Sequence, residues 1–195
     1  MYNNNSEKFV SQLGFSFQED PKDRRVWVGA GIKYYTILHK WWKHFGLSGI
    51  GLMIGETGEQ WKRTHEKLQE IFPDIEGLLS VDMHGTPDIT WDITYPFSEF
   101  YQDHLGIPCH FIVCQSVLEH VVDPYGAVKN LAWCLEPEGI LFIHTHGPEA
   151  EEHRYPVDCF RFMKDTFTLF SYRFRLEILD MLWSPKNCFV AYRKG

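Results

Sequence analysis

Residues 111–145 constrain this chain most, because they read as strand, turn, helix, turn and strand in one continuous run. Phe111-Ile112-Val113-Cys114 is a short, unbroken apolar segment. Such a segment suits a strand covered on both faces, as in a parallel sheet. Gln115-Ser116-Val117-Leu118-Glu119-His120 follows it, and Asp123-Pro124 then predicts a helix start. Asp accepts from free amides at a helix N-terminus, and Pro suits the first helical position. Ala127, Val128, Leu131, Ala132 and Leu135 recur at helical spacing and give that helix one apolar face. Glu136-Pro137-Glu138-Gly139 predicts a break, and Ile140-Leu141-Phe142-Ile143 a second buried strand. The whole is a right-handed βαβ unit. Open α/β sheets bind ligands at the carboxyl ends of their strands, which is where the polar residues of this stretch fall.

The rest of the chain extends that unit into a doubly wound sheet. Gly49-Ile50-Gly51-Leu52-Met53-Ile54-Gly55 predicts the first strand, residues 59–72 its helix, and Leu78-Leu79-Ser80-Val81-Asp82 the second strand. Ile89-Thr90-Trp91 predicts a short third strand. Residues 175–183 and 187–192, separated by Ser184-Pro185-Lys186, read as a closing antiparallel hairpin. Residues 47–195 are therefore expected to form the sheet domain and residues 1–46 an extension ahead of it, with a polar loop over residues 16–25 and a turn at Gly29-Ala30-Gly31. A helix over Ile32–Phe45 alternates aromatic and basic residues. It admits two readings: aromatics packed on the core with lysines in water, or a lid over a substrate pocket.

At 195 residues a single domain is the natural expectation, and 44% hydrophobic and 16% aromatic residues suit a packed core. The net charge of −7 weighs against a polymeric nucleic-acid partner. No apolar run approaches a membrane span. The polar start of the chain does not resemble a signal peptide, and the five cysteines form no C-x-x-C pair, so a cytoplasmic protein is expected.

Two features point to a nucleotide-like ligand. Ile54-Gly55-Glu56-Thr57-Gly58 is a glycine turn after the first strand, which lets backbone approach a ligand; an ordinary strand-to-helix turn would read the same way. Asp82 ends the second strand, where an acidic residue accepts from ribose hydroxyls in nucleotide-binding α/β folds. An Asp before His84-Gly85 also suits a plain turn.

Ser116-Val117-Leu118-Glu119-His120-Val121-Val122-Asp123-Pro124, with Leu135-Glu136-Pro137-Glu138-Gly139-Ile140-Leu141, resembles the signature of class I S-adenosylmethionine (SAM)-dependent methyltransferases of the type 11 group. Residues 155–162 resemble a segment common in that group, while Glu138 stands where the family usually has Gly. The resemblance implies a Rossmann-like methyltransferase fold: α/β, a doubly wound, mostly parallel seven-stranded sheet with a C-terminal antiparallel hairpin. It implies S-adenosyl-L-methionine as cofactor, with Asp92 on the adenine amino group and Met83 and Ile93 against the cofactor. Gln115 and Ser116 would border its methionine part. Met53 occupies the usual acidic position, and Thr57 replaces a glycine of the loop.

Methyl transfer aligns an acceptor with the donor and draws on a base for the acceptor proton. His120 and His146 follow the fourth and fifth strands and are the candidate catalytic residues; His120 read structurally would brace the turn instead. His153, Tyr155 and Arg161 lie where the resemblance places acceptor contacts. Glu119, His120 and His146 form a set able to hold a divalent cation. Ser116 is a poor replacement for a further carboxylate, so activity is expected to need no metal. The leading expectation is SAM-dependent methyl transfer to a small-molecule or sugar-containing acceptor. The alternatives are a non-catalytic methyltransferase-like binding protein and a nicotinamide-dependent oxidoreductase.

Overall fold

The computed structural model describes residues 32–55, 75–97, 109–153 and 157–195. The elements expected at residues 16–25, 29–31 and 59–72, and the site residues Gly58 and Tyr155, lie outside these segments. Helix α1 spans Ile32–Phe45 and strand β1 Gly49–Ile54. Strands β2 (Ile75–Asp82), β3 (Ile89–Thr90) and β4 (Cys109–Gln115) follow, then helix α2 (Pro124–Cys134) and strand β5 (Leu135–His146). Helix α3 (Lys164–Phe174) precedes the hairpin β6 (Leu176–Trp183) and β7 (Asn187–Lys194).

The seven strands form one sheet in the order β3-β2-β1-β4-β5-β7-β6. The first five run parallel, and β7 enters antiparallel between β5 and β6. The doubly wound sheet with its closing hairpin is thus the expected one. Strand order reverses between β1 and β4, and a crevice opens at such a switch point.

Apolar runs form these strands because both faces of the sheet are covered. Side chains alternate along each strand. Leu52, Ile54, Ile112, Cys114, Leu141 and Ile143 face one core with α2 and α3. Met53, Phe111, Val113, Ile140 and Phe142 face the other, with Ile37, Leu38, Trp41 and Trp42 of α1. Those α1 residues share one face of a 3.6-residue helix. Trp41 stacks on Phe142 with ring centroids 5.8 Å apart, and Trp42 meets Phe111 edge-on at 4.6 Å. The Trp41 indole N–H also donates to Asp180 Oδ2 of β6 at 2.8 Å. The extension expected ahead of the sheet therefore supplies a layer of the core through α1.

Asp123 caps α2 by accepting from the Gly126 N–H at 2.8 Å, with Pro124 in the first turn. The helix ends at Cys134, one residue short of expectation, because Leu135 already pairs with Cys109 of β4. The break expected at residues 136–139 appears as a register shift inside β5, with Glu138 in the left-handed region at φ 66°. A left-handed non-glycine residue costs about 1–2 kcal/mol, against about 0.5–1 kcal/mol of extra chain entropy for glycine. Glu138 is exposed, and its contact with Arg193 at 3.6 Å is a surface pair of little weight. Glu138→Gly is expected to stabilise the fold by about 0.5–1 kcal/mol, raising Tm by roughly 1–4 °C. Differential scanning calorimetry showing an unchanged or lower Tm would count against stored strain at this turn.

Candidate functional site

The carboxyl ends of β1 and β2, the segment after β3 and the turn after β4 enclose a cleft of about 290 Å³. Gly55, Asp82, Met83, Asp92, Ile93 and Ser116 all line it. Local chemistry fixes the two carboxylates. Asp82 Oδ1 accepts from the His84 N–H at 2.8 Å, and Asp92 Oδ1 accepts from the Thr94 N–H and hydroxyl at 2.9 and 2.7 Å. These are Asx turns, which short acidic side chains favour. In each case one carboxylate oxygen holds the loop, and the other has no hydrogen-bond partner among the described residues. Trp91 is buried beside Asp92, packs edge-on against Phe97 and donates its indole N–H to the Tyr95 carbonyl. Asn130 of α2 donates its amide to the Ile93 carbonyl at 2.9 Å. The Asp92 loop is therefore tied to the helix behind the sheet.

Gly55 shows why the first turn needs glycine. Its φ is +89°, and a Cβ there would lie 2.4 Å from Val117 Cγ2. Ser116 is also left-handed, at φ 49°. Its N–H donates to the His144 carbonyl at 2.8 Å, and its hydroxyl meets His144 Nδ1 at 3.1 Å. Backbone strain of this kind concentrates at functional sites. Gln115, at the end of β4, has a buried Oε1 without a hydrogen-bond partner.

A second polar cluster adjoins the cleft. Glu119 is fully buried, and its Oε2 accepts from the Thr145 hydroxyl at 2.6 Å. Its Oε1 faces three imidazoles: His146 Nδ1 at 3.5 Å, His153 Nε2 at 3.8 Å and His120 Nε2 at 3.9 Å. His120 lines the cleft, and its Nδ1 bonds the Val157 carbonyl. A carbonyl only accepts, so in the neutral ring the proton sits on Nδ1 and Nε2 keeps its lone pair.

His153 packs between the other two rings, with centroids 4.7 Å from His120 and 4.4 Å from His146. His144 stands apart. It is buried, stacks on Phe189 at 4.5 Å and meets Asn187 Oδ1 through Nε2 at 3.3 Å. Burial above all, with the neighbouring His146 adding to it, lowers its pKa to about 3. His144 is thus a neutral, packed residue at neutral pH.

The expected acceptor residues divide. His153 joins the Glu119 cluster, and Tyr155 lies outside the described residues. Arg161 holds its own loop. Its guanidinium pairs bidentately with Asp158 and donates to the carbonyls of Ala150, Glu151 and Phe160. Those hydrogen bonds hold Asp158 below the usual carboxylate range. Donors engaged in this way are not presented to an acceptor, so the structure gives Arg161 an organising place. His146 does not line the cleft; its Nδ1 is turned to Glu119. Sequence reading grouped Glu119 with His120 and His146 but missed that His153 joins them, and it missed Asn130 as the brace of the Asp92 loop. A polar residue on the apolar face of α2 was the available signal for Asn130.

Residues 28–181 match the family model described as methyltransferase domain. No curated protein sequence matches the chain. Among solved structures, a 1,6-didemethyltoxoflavin-N1-methyltransferase of Burkholderia thailandensis, with bound 1,6-didemethyltoxoflavin and S-adenosylhomocysteine, is similar with TM-score 0.62 and 13% identity, over 100% of this chain and 91% of that one. A SAM-dependent methyltransferase of Clostridium acetobutylicum is similar with TM-score 0.61 and 10% identity, over 89% and 96%. The N-methyltransferase NodS of Bradyrhizobium japonicum with S-adenosyl-L-homocysteine gives TM-score 0.56 and 14% identity, over 96% and 98%. These likenesses establish a shared fold. No described helix is long and apolar enough to cross a membrane.

Proposed function

The chain belongs to the methyltransferase domain family, whose members transfer a methyl group from S-adenosyl-L-methionine, and we propose that it binds that cofactor in the Asp82–Asp92 cleft and methylates a small-molecule or sugar-containing acceptor. The observation that carries this reading is the pair of strand-end carboxylates, each with one oxygen in a turn and the other left for a ligand. The residues fit the group. Gly55 keeps the floor of the cleft open where a Cβ would collide with Val117. Asp82 accepts from ribose hydroxyls. Asp92 accepts from the adenine amino group, with Met83 and Ile93 against the cofactor. Ser116 borders the methionine end, whereas Gln115, with its buried Oε1, is not among the residues that line the cleft. Met53, where a carboxylate is usual, is buried in the opposite core and contributes no charge there.

When bound, the cofactor supplies an electrophilic methyl group on a sulfonium. This chain supplies alignment and a proton acceptor. His120 is the candidate base, because it lines the cleft with Nδ1 fixed and Nε2 holding a lone pair in the neutral ring. His146 and His153 stand behind it around Glu119. The acceptor then occupies the β4–β5 side of the carboxyl edge. The Burkholderia thailandensis enzyme holds 1,6-didemethyltoxoflavin beside S-adenosylhomocysteine on a similar fold, and the net charge of −7 suits a small acceptor better than a nucleic acid. Five free cysteines, four of them buried, suit a reducing cytoplasm.

Isothermal titration calorimetry with SAM, S-adenosylhomocysteine and NAD tests the reading. S-adenosylhomocysteine is expected to bind and NAD not to. NAD binding with no response to either sulfur compound would overturn it in favour of an oxidoreductase.

A further inference from the structure

We propose that Glu119, His146 and His153 bind a divalent cation of the zinc class, in a centre immediately behind the cofactor cleft. Three observations carry this, and none depends on which cofactor the cleft takes. The first is an unanswered buried charge. Glu119 is fully buried, yet Oε1 has no hydrogen-bond partner, and neither has the buried His146 Nδ1 that faces it. A buried carboxylate oxygen without a hydrogen-bond donor is costly, and a cation between it and the imidazole nitrogens removes that cost.

The second observation is spacing. The imidazole nitrogens stand 3.5, 3.8 and 3.9 Å from Oε1, beyond good hydrogen-bond distance. Donors held at 2.0–2.2 Å around a tetrahedral zinc ion lie about 3.3–3.6 Å from one another. One donor atom from each of Glu119, His146 and His153 lies within 4.8 Å of the other two. The two ligand distances to Oε1, 3.5 and 3.8 Å, are already close to that spacing, and side-chain adjustment of about 1 Å or less draws the whole set together. One carboxylate and two imidazoles form a donor set that zinc accepts while leaving a position open.

The third observation is the surrounding support. Metal-binding side chains are oriented by hydrogen bonds on their far sides. Thr145 holds the other Glu119 oxygen. His153 Nδ1 lies 3.6 Å from Asp158 Oδ2, which also accepts from the His153 N–H, and Arg161 fixes Asp158. His120 borders both the cluster and the cleft, with Nε2 turned to Glu119 and Nδ1 on the Val157 carbonyl. The expectation that activity needs no metal rested on Ser116 as a poor substitute for a carboxylate. Ser116 is instead engaged with His144, and the fold brings in His153, seven residues past His146 in sequence, as the third ligand.

The test uses the full chain in a Cys159→Ser background, because Cys159 is an exposed thiol that would bind zinc by itself. The chelator-treated protein is titrated with zinc by calorimetry, and with cobalt(II) while its visible absorption is followed. One equivalent of zinc and the intense visible bands of tetrahedral cobalt are expected. His146→Ala and His153→Ala should each weaken zinc binding by about a hundredfold or more, since even losing an outer-shell partner costs 10–100-fold. Glu119 is fully buried, so Glu119→Gln confounds binding with folding; His153→Ala, at a half-exposed position, keeps the test decisive, and its melting curve is recorded alongside. No stoichiometric binding, or an affinity in both histidine variants equal to that of the parent, would overturn the proposal.

Discussion

Removing residues 1–46 is expected to leave no cooperatively folded protein. The deletion takes away Ile37, Leu38, Trp41 and Trp42, which are 2–5% exposed and form the outer half of one of the two cores. Each side chain of this size contributes about 1.5–3 kcal/mol by burial. Four of them rival the whole stability of a domain, about 5–15 kcal/mol. The deletion also uncovers Phe111 and Phe142, now covered by the two tryptophans. Exposed apolar sheet of that kind aggregates. Trp41→Ala is the graded version of the experiment. It loses the stacking on Phe142 and the hydrogen bond to Asp180, and should cost about 3–5 kcal/mol in urea denaturation. Trp41→Phe, which keeps the ring but not the donor, should cost markedly less. A truncated protein that stays soluble and melts cooperatively would show that α1 is dispensable to the core.

The contrast between α1 and the sheet shows what the sequence carried. Strands β4 and β5 were legible because both faces are buried, which leaves unbroken apolar runs that no other local feature imitates. The hairpin was legible from two strand-like runs around Ser184-Pro185-Lys186. Helix α1 was ambiguous in place, though not in kind. Aromatic residues at helical spacing suit a lid and a core layer alike, and the partners that decide, Phe111 and Phe142, lie far along the chain. The site divides in the same way. Asp82 was singled out by a positional rule that ties an acidic residue at a strand end to a ligand, and Asp92 by the family resemblance; both line the cleft. The convergence on Glu119 is a tertiary fact: His120, His146 and His153 come from the turn after β4, the end of β5 and the loop beyond it. The tie between Arg161 and its own loop is likewise tertiary in part: a carboxylate three residues earlier and three backbone carbonyls take its donors.

Asp82→Ala is expected to lower the affinity for S-adenosylhomocysteine by about ten- to a hundredfold, equivalent to roughly 1.5–3 kcal/mol for hydrogen bonds to a charged acceptor. The carboxylate has two tasks, and two substitutions separate them. Oδ1 accepts from the His84 N–H and shapes the turn after β2, and the residue lines the cleft. Asp82→Asn keeps an oxygen for the turn but removes the charge and puts an amide donor among the ligand acceptors. If the ribose assignment holds, Asp82→Asn loses most of the affinity while its urea midpoint stays close to that of the parent. If Asp82 only shapes the turn, Asp82→Asn binds normally, and Asp82→Ala loses affinity and stability together. Asp92 offers the parallel comparison, because its Oδ1 holds Thr94 in the same manner. Calorimetric affinities unchanged in Asp82→Ala would remove Asp82 from the cofactor site.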